Sequence, residues 1–144
     1  MRKKKVLFVC IHNGARSQMA KAFLNMMAPE SFEAESAGIE PGALNPIVVD
    51  VMKDAGIDIA SNQTKGVQDL IDEGRVYDYV ITVCDEASAE RCLVFPGDGQ
   101  RVHMGFEDPS AFEGSYEGKF EKTKIIRDQI KTSLKQWIKE QTDD

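Results

Sequence analysis

Apolar positions along the chain follow two periods. In residues 5–10, Val6, Leu7, Phe8 and Val9 form one unbroken run that ends in Cys10, the pattern of a buried strand. From about Ser17 the spacing changes. Met19, Ala20, Phe23, Leu24 and Met27 share one side of a helix that must stop before Pro29. Residues 32–37 predict a short second strand closed by Gly38. Asn45-Pro46 caps a helix reaching about Ala55, with Ile47, Val48, Val51 and Met52 as its apolar face. Residues 58–61 read as a brief extended piece and 64–73 as a short helix ended by Gly74. The run from Tyr77 to Cys84 is the clearest later strand, and it too ends in a cysteine. Residues 85–92 have the composition of a short helix or ordered loop, 96–99 that of a turn, and 101–105 that of a last short strand. Residues 119–140 form a long helix whose inner stripe is Ile126, Ile130, Leu134, Trp137 and Ile138.

Strands and helices that alternate at these lengths make an α/β protein whose parallel sheet is covered on both faces. Ligands of such sheets sit beyond the carboxyl ends of the strands, where the strand order reverses. Cys10 and Cys84 both lie at strand ends, and Asp108-Pro109 follows the last strand, so all three fall on one edge of the molecule. With 144 residues and no internal repeat or linker, the chain is expected to be one domain spanning residues 1–144.

Charge narrows the possible partners. Eighteen Lys and Arg against 24 Asp and Glu give a net charge of −6, which argues against a general nucleic-acid binder. The basic start at residues 2–5 reads as a solvated strand entry. No run reaches membrane-spanning length, and residues 6–10 are too short for the core of an export signal. A cytoplasmic location is therefore expected, where three cysteines serve catalysis or redox chemistry sooner than structural disulfides. His12 and His103 stand far apart in sequence and no Cys/His cluster has zinc spacing, so no metal is expected.

The stretch Cys10-Ile11-His12-Asn13-Gly14-Ala15-Arg16-Ser17 carries the candidate chemistry. A strand that stops at a thiol, a tight loop and a helix start together form an anion cradle, with backbone N–H groups and the helix N-terminus aimed at one point. Arg16 adds a planar fork suited to two oxygens of a tetrahedral anion. Such a field favours the thiolate of Cys10, the reactive form, and Ser17 can donate a hydrogen bond to it. Asp108 is placed either to protonate a leaving oxygen or merely to start a turn. Cys84 and Cys92, separated by seven mostly polar residues, are either a buried pair or successive stations of a disulfide relay beginning at Cys10. Their polar surroundings predict a surface location and favour the relay.

With these residues assembled, the chain resembles the low-molecular-weight tyrosine phosphatase superfamily, and within it the thioredoxin-coupled arsenate reductases. The likeness rests on C-I-H-N-G-A-R-S-Q-M-A from Cys10, S-N-Q-T from Ser61, V-C-D-E from Val83 and G-F-E-D-P from Gly105. It implies a flavodoxin-like, three-layer α/β/α fold with a four-stranded parallel sheet. It also implies an arsenate reductase with side phosphatase activity. Arsenate, or a phosphate-like oxyanion, would be held by Ile11, His12, Asn13, Gly14, Ala15, Arg16 and Ser17. Cys10 would attack it and Asp108 would assist loss of water. Cys84 would then attack Cys10 and release arsenite, and Cys92 would carry the disulfide outward to thioredoxin. Asn13 would brace the loop. No tightly bound cofactor, no nucleic acid, no membrane and a monomeric state are expected. Asn13, Ser36 and Thr64 could offer oxygens to a structural cation, whereas Gly66 supplies no carboxylate.

The chain departs from the family pattern at several positions. The cysteine pair encloses seven residues where six are usual, His12 stands where glycine is common, and Ala15 stands where Cys or Ile is common. Met104 stands where the reductases commonly have tryptophan. Three other functions remain in view: a phosphatase working through a phospho-cysteine, an oxyanion-binding redox sensor, and arsenate reduction by a small external thiol. Ser110-Ala111 after Asp108-Pro109, in place of the tyrosines of the phosphatases, weakens the first. The cysteine pair weakens the last, which has no need of it.

Overall fold

The computed structural model describes residues 3–84 and 97–142. Strand β1 (Lys4–Cys10) leads through a loop into helix α1 (Arg16–Met27), and β2 (Phe32–Gly38) is followed by α2 (Pro46–Asp54) and the short α3 (Val67–Asp72). Then come β3 (Tyr79–Thr82), β4 (Gln100–His103), a 3-10 turn (Pro109–Ala111) and α4 (Tyr116–Thr142). The four strands form one sheet in the order β2-β1-β3-β4, and all neighbours are parallel. From β1 the chain moves outward to β2, then crosses to β3 on the other side. The order therefore reverses beside the carboxyl end of β1, and the loop after Cys10 lies at that point.

The expected three-layer α/β/α arrangement arises from strand parity. Val6, Phe8 and Cys10 face a core shared with Phe23 and Leu24 of α1, Val51 of α2, and Ile130 and Leu134 of α4. The intervening Leu7 and Val9 face the opposite core with Val67 and Leu70 of α3 and Val80 of β3. Asn45 caps α2 as its sequence predicts, its side-chain oxygen accepting from Ile47 N at 2.9 Å with Pro46 as the first helical residue. On α4, Arg127 donates to Val51 O at 2.8 Å and to Asp54 at 3.1 Å, fastening that helix across the C-terminal end of α2.

Several boundaries differ from the sequence expectation for local reasons. The helix expected over 64–73 starts only at Val67, because residues 64–66 are engaged as a strap beneath the β1–α1 loop. Thr64 donates to Gly42 O, the Lys65 amide donates to Asn13 Oδ1, and Lys65 O accepts from Gly38 N. Residues 58–61 turn instead of extending, since Asp58 Oδ1 takes the Ala60 amide at 2.9 Å. The long helix begins three residues earlier than expected, at Tyr116, where Ser115 Oγ accepts from Gly118 N. Only Tyr79–Thr82 of the run from 77 to 84, and Gln100–His103 at the last strand, pair in the sheet. Residues 85–92, Cys92 among them, and Pro96 lie outside the described residues.

Candidate active site

A loop can bind an anion through its N–H groups only if its carbonyls are turned away and satisfied elsewhere. In the β1–α1 loop each carbonyl from residue 10 to 15 has an outward partner. Cys10 O accepts from Ile39 N, Ile11 O from Glu40 N, His12 O from Gly42 N, Gly14 O from Asn45 N and Ala15 O from Met19 N. Asn13 O accepts from the side chain of Gln18 at 3.0 Å. Among the described residues no peptide bond is cis, so each N–H points opposite to its neighbouring C=O, and the N–H groups of residues 11–16 turn to the loop's inner side. That side opens on a cleft of about 180 Å³ lined by Cys10, Gly14, Arg16, Asp108 and Ser110, with His12 and Gly42 at its wall. Ala15 caps α1 without a side-chain bond, which leaves the helix's first amides available to the same point.

Two glycines are fixed by close approach. A Cβ on Gly14 would stand 2.4 Å from Ala43 O, and one on Gly38 would stand 2.7 Å from Ile11 O and 2.8 Å from Asn13 N. Substituting Gly38 by alanine should push the loop out of register with its partners. Phosphate affinity should then fall about tenfold, equivalent to ~1.4 kcal/mol, as measured by calorimetry.

Arg16 is buried at the first position of α1, and its guanidinium is divided among three tasks. Nη1 donates to Phe106 O at 3.0 Å, and Nη2 stands 3.6 Å from Asp108 Oδ2. Buried Nε has no hydrogen-bond partner among the described residues, so this donor is unspent on them. Of the two roles considered for Asp108, the turn is seen directly, and its second carboxylate oxygen lines the cleft. Its Oδ1 accepts the Ser110 amide at 2.9 Å and starts the 3-10 turn, while Oδ2 faces Arg16 across the cleft. Asn45 Nδ2 donates to Ser110 Oγ at 3.0 Å and ties this turn to the cap of α2.

Cys10 ends a chain of hydrogen-bonded side chains. Cys10 Sγ and Ser17 Oγ are 2.9 Å apart. Asn13 Nδ2 donates to that same hydroxyl at 2.8 Å, and its orientation is fixed because Asn13 Oδ1 receives the Lys65 amide. Ser17 can therefore give its single hydrogen to the sulfur, an arrangement that stabilises a thiolate. Asn13 holds this geometry with φ +56°, a left-handed conformation that non-glycine residues seldom adopt.

Cys84 is not part of the cleft. Val9 pairs with Thr82, so Cys84 sits one strand over from the loop, and its side chain joins Leu7, Val9 and Ile11 on the face opposite to that of Cys10. It is fully buried, contrary to the surface location expected from its polar neighbours, because the chain just past the end of β3 still packs into the core of Leu7, Val9 and Ile11. It is disulfide-bonded, whereas Cys10 is free.

The three oxygens considered for a cation differ in their hydrogen bonding. Asn13 Oδ1 takes the Lys65 amide and the Thr64 hydroxyl donates to Gly42 O, while Ser36 Oγ is buried without a partner among the described residues. Charge from the protein itself collects nearby. Lys21 has its ammonium pKa lowered by burial and by Lys65, and Lys65 lies 4.0 Å from Glu35.

Sequence reasoning missed Gln18, Asn62, Asn45 as a tether and the carbonyl of Phe106. Gln18 is fully buried beside Arg16 and Ser17 in the first turn of α1, and Asn62 Nδ2 donates to its Oε1 at 3.1 Å.

Comparison with known proteins extends across the whole fold. The sequence pattern of the family described as low molecular weight phosphotyrosine protein phosphatase matches residues 5–144. The chain is 40% identical to an arsenate reductase of Bacillus licheniformis over 139 residues, 95% of this chain and 96% of that protein. A solved arsenate reductase in a phosphate-binding state is 27% identical with a TM-score of 0.74, and the match covers 95% of this chain and 98% of that one. A thioredoxin-dependent arsenate reductase from Corynebacterium glutamicum is 29% identical with a TM-score of 0.60, over 92% of this chain and 62% of that one.

Proposed function

We propose, from the premise that the chain belongs to the low molecular weight phosphotyrosine protein phosphatase family, that it reduces arsenate to arsenite through Cys10, Cys84 and Cys92, with thioredoxin as the final reductant. The observation that carries this reading is the combination of a free Cys10 in an anion cradle with a Cys84 already in a disulfide. A phosphatase needs the first and has no use for the second.

Arsenate enters the cradle of residues 11–17, with the unspent Arg16 Nε among its donors. The Cys10 thiolate attacks arsenic(V), and an arsenate oxygen leaves as water with the proton supplied by Asp108. Cys84, as a thiolate, then attacks Cys10 Sγ. The S–S bond forms, the sulfur–arsenic electron pair stays on arsenic, and arsenite departs as arsenic(III). Cys92 attacks Cys84 Sγ and frees Cys10, and a dithiol of thioredoxin reduces the Cys84–Cys92 bond. The opposite-face placement of Cys84 requires the chain after Thr82 to move before it can reach Cys10.

The proposal extends to a single domain over residues 1–144, acting as a cytoplasmic monomer without a tightly bound cofactor. Among the described residues no helix is long and apolar enough to cross a membrane.

The test monitors NADPH oxidation with thioredoxin, thioredoxin reductase and arsenate. Wild type should turn over, and Cys84→Ser and Cys92→Ser should each abolish turnover. A silent wild type that hydrolyses phenyl phosphate, with both variants as active as wild type in that hydrolysis, would replace the reductase reading with the phosphatase.

A further inference from the structure

Of the carbonyls from residue 10 to 15, that of Asn13 is held by a side chain, and the other five are held by backbone amides. Its neighbour Gly14 makes this difference consequential. A flip of the 13–14 peptide would change ψ of Asn13 and φ of Gly14, and glycine accepts a change in φ at little cost. Alanine would resist the change, but a Cβ at position 14 is barred by Ala43 O. The loop therefore contains one joint that its own backbone does not lock, and a flip there would turn a carbonyl oxygen toward the bound anion and an N–H away from it.

We infer that Gln18 is the positioning residue that locks this joint, and that the oxyanion affinity of the loop depends on its side-chain amide. Gln18 Nε2 donates to Asn13 O at 3.0 Å, with Asn13 Oδ1 and Gln63 O at 3.3 Å as its further acceptors. Backbone carbonyls can only accept, and Asn62 Nδ2 donates to Oε1, so the amide has one possible orientation. Gln18 is fully buried and touches neither the cleft nor the thiol. It acts through Asn13, which also carries the hydrogen bond to Ser17, so one side chain fixes both the inward N–H of Gly14 and the donor chain to Cys10. Asn62 and Gln63, just before the strap of residues 64–66, supply the other half of the lock.

This inference rests on the anion site of the proposed function but not on arsenate turnover. Its test therefore uses inorganic phosphate and a chain in which Cys84→Ser and Cys92→Ser leave Cys10 as the sole cysteine. Two quantities are read: the phosphate Kd by calorimetry, and the phosphate concentration that half-protects Cys10 from iodoacetamide. Gln18→Met keeps the length and apolar bulk and removes the donor, and both quantities should rise at least tenfold. Gln18→Glu should bind worst when ionised. Its Kd relative to that of the unsubstituted chain should recover as the pH falls and the acid regains a hydrogen to donate, a trend that a packing defect would not show. Asn62→Ala should give a smaller loss of the same kind, and it serves if Gln18→Met does not fold. Affinity within threefold for Gln18→Met, or a pH-independent deficit for Gln18→Glu, would overturn the inference. Failure of the unsubstituted chain to bind phosphate at all would instead remove the anion site on which the proposed function stands.

Discussion

With serine in place of Cys10, arsenate-dependent turnover should fall to background while phosphate still binds with a Kd near that of wild type. The loss goes beyond that of a weaker nucleophile. Arsenic(V) becomes arsenic(III) by taking two electrons, and in the proposed sequence these come from two sulfurs as they join. An oxygen at position 10 cannot enter a disulfide, so the reaction lacks its reductant even if an ester to arsenic forms. The proposed cradle of backbone amides and Arg16 is not altered, and Ser17 still has a partner at position 10. Coupled NADPH oxidation and phosphate calorimetry on one preparation separate the two consequences. Retained turnover would remove Cys10 from the chemistry, and lost phosphate binding would mean that the sulfur itself shapes the loop.

Arg16→Lys should lower kcat/KM for arsenate by about 10³-fold, roughly 4 kcal/mol. Charge is preserved in this variant, so what is measured is the fork. Arg16 reaches Phe106 O and the Asp108 carboxylate with its two terminal nitrogens, and its Nε, which has no partner among the described residues, is the donor proposed for the anion. A lysine presents one ammonium at the end of a flexible stem and cannot hold these three directions together. Losing two charge-assisted hydrogen bonds at ~1.5–3 kcal/mol each brackets the expected effect. Because the guanidinium also faces Asp108, kcat should fall along with a rise in KM, and a change confined to KM would show that Arg16 contributes to binding alone.

Much of this site was legible because strand endings are legible. The apolar run that stops at Cys10, the helix start at Arg16 and the position of Asp108 just past the last strand place these groups on one edge, and the cleft joins them there. Gln18 was not legible. It is a polar residue in a helix's first turn, where solvent exposure is the default reading, and it is buried only because residues 62–65 cross beneath the loop from far along the chain. The same crossing shortened the helix expected from Thr64, since local propensity gave way to three hydrogen bonds that no local pattern announces. The orientation of Cys84 lies between these cases. Its place at a strand end was readable, but which face its sulfur takes depends on the pairing of Val9 with Thr82, and register is a property of two strands together.

The outward tethering of the loop carbonyls also bears on life among competing solutes. A cradle of preset amides and one guanidinium reads tetrahedral shape and negative charge, and arsenate and phosphate are alike in both. Selection between them then falls to the step after capture, since sulfur can pass electrons to arsenic(V) but has no such exchange with phosphorus(V). Phosphate would occupy the cradle and leave unchanged, so throughput in a cell would track the ratio of the two anions and not the amount of arsenate alone.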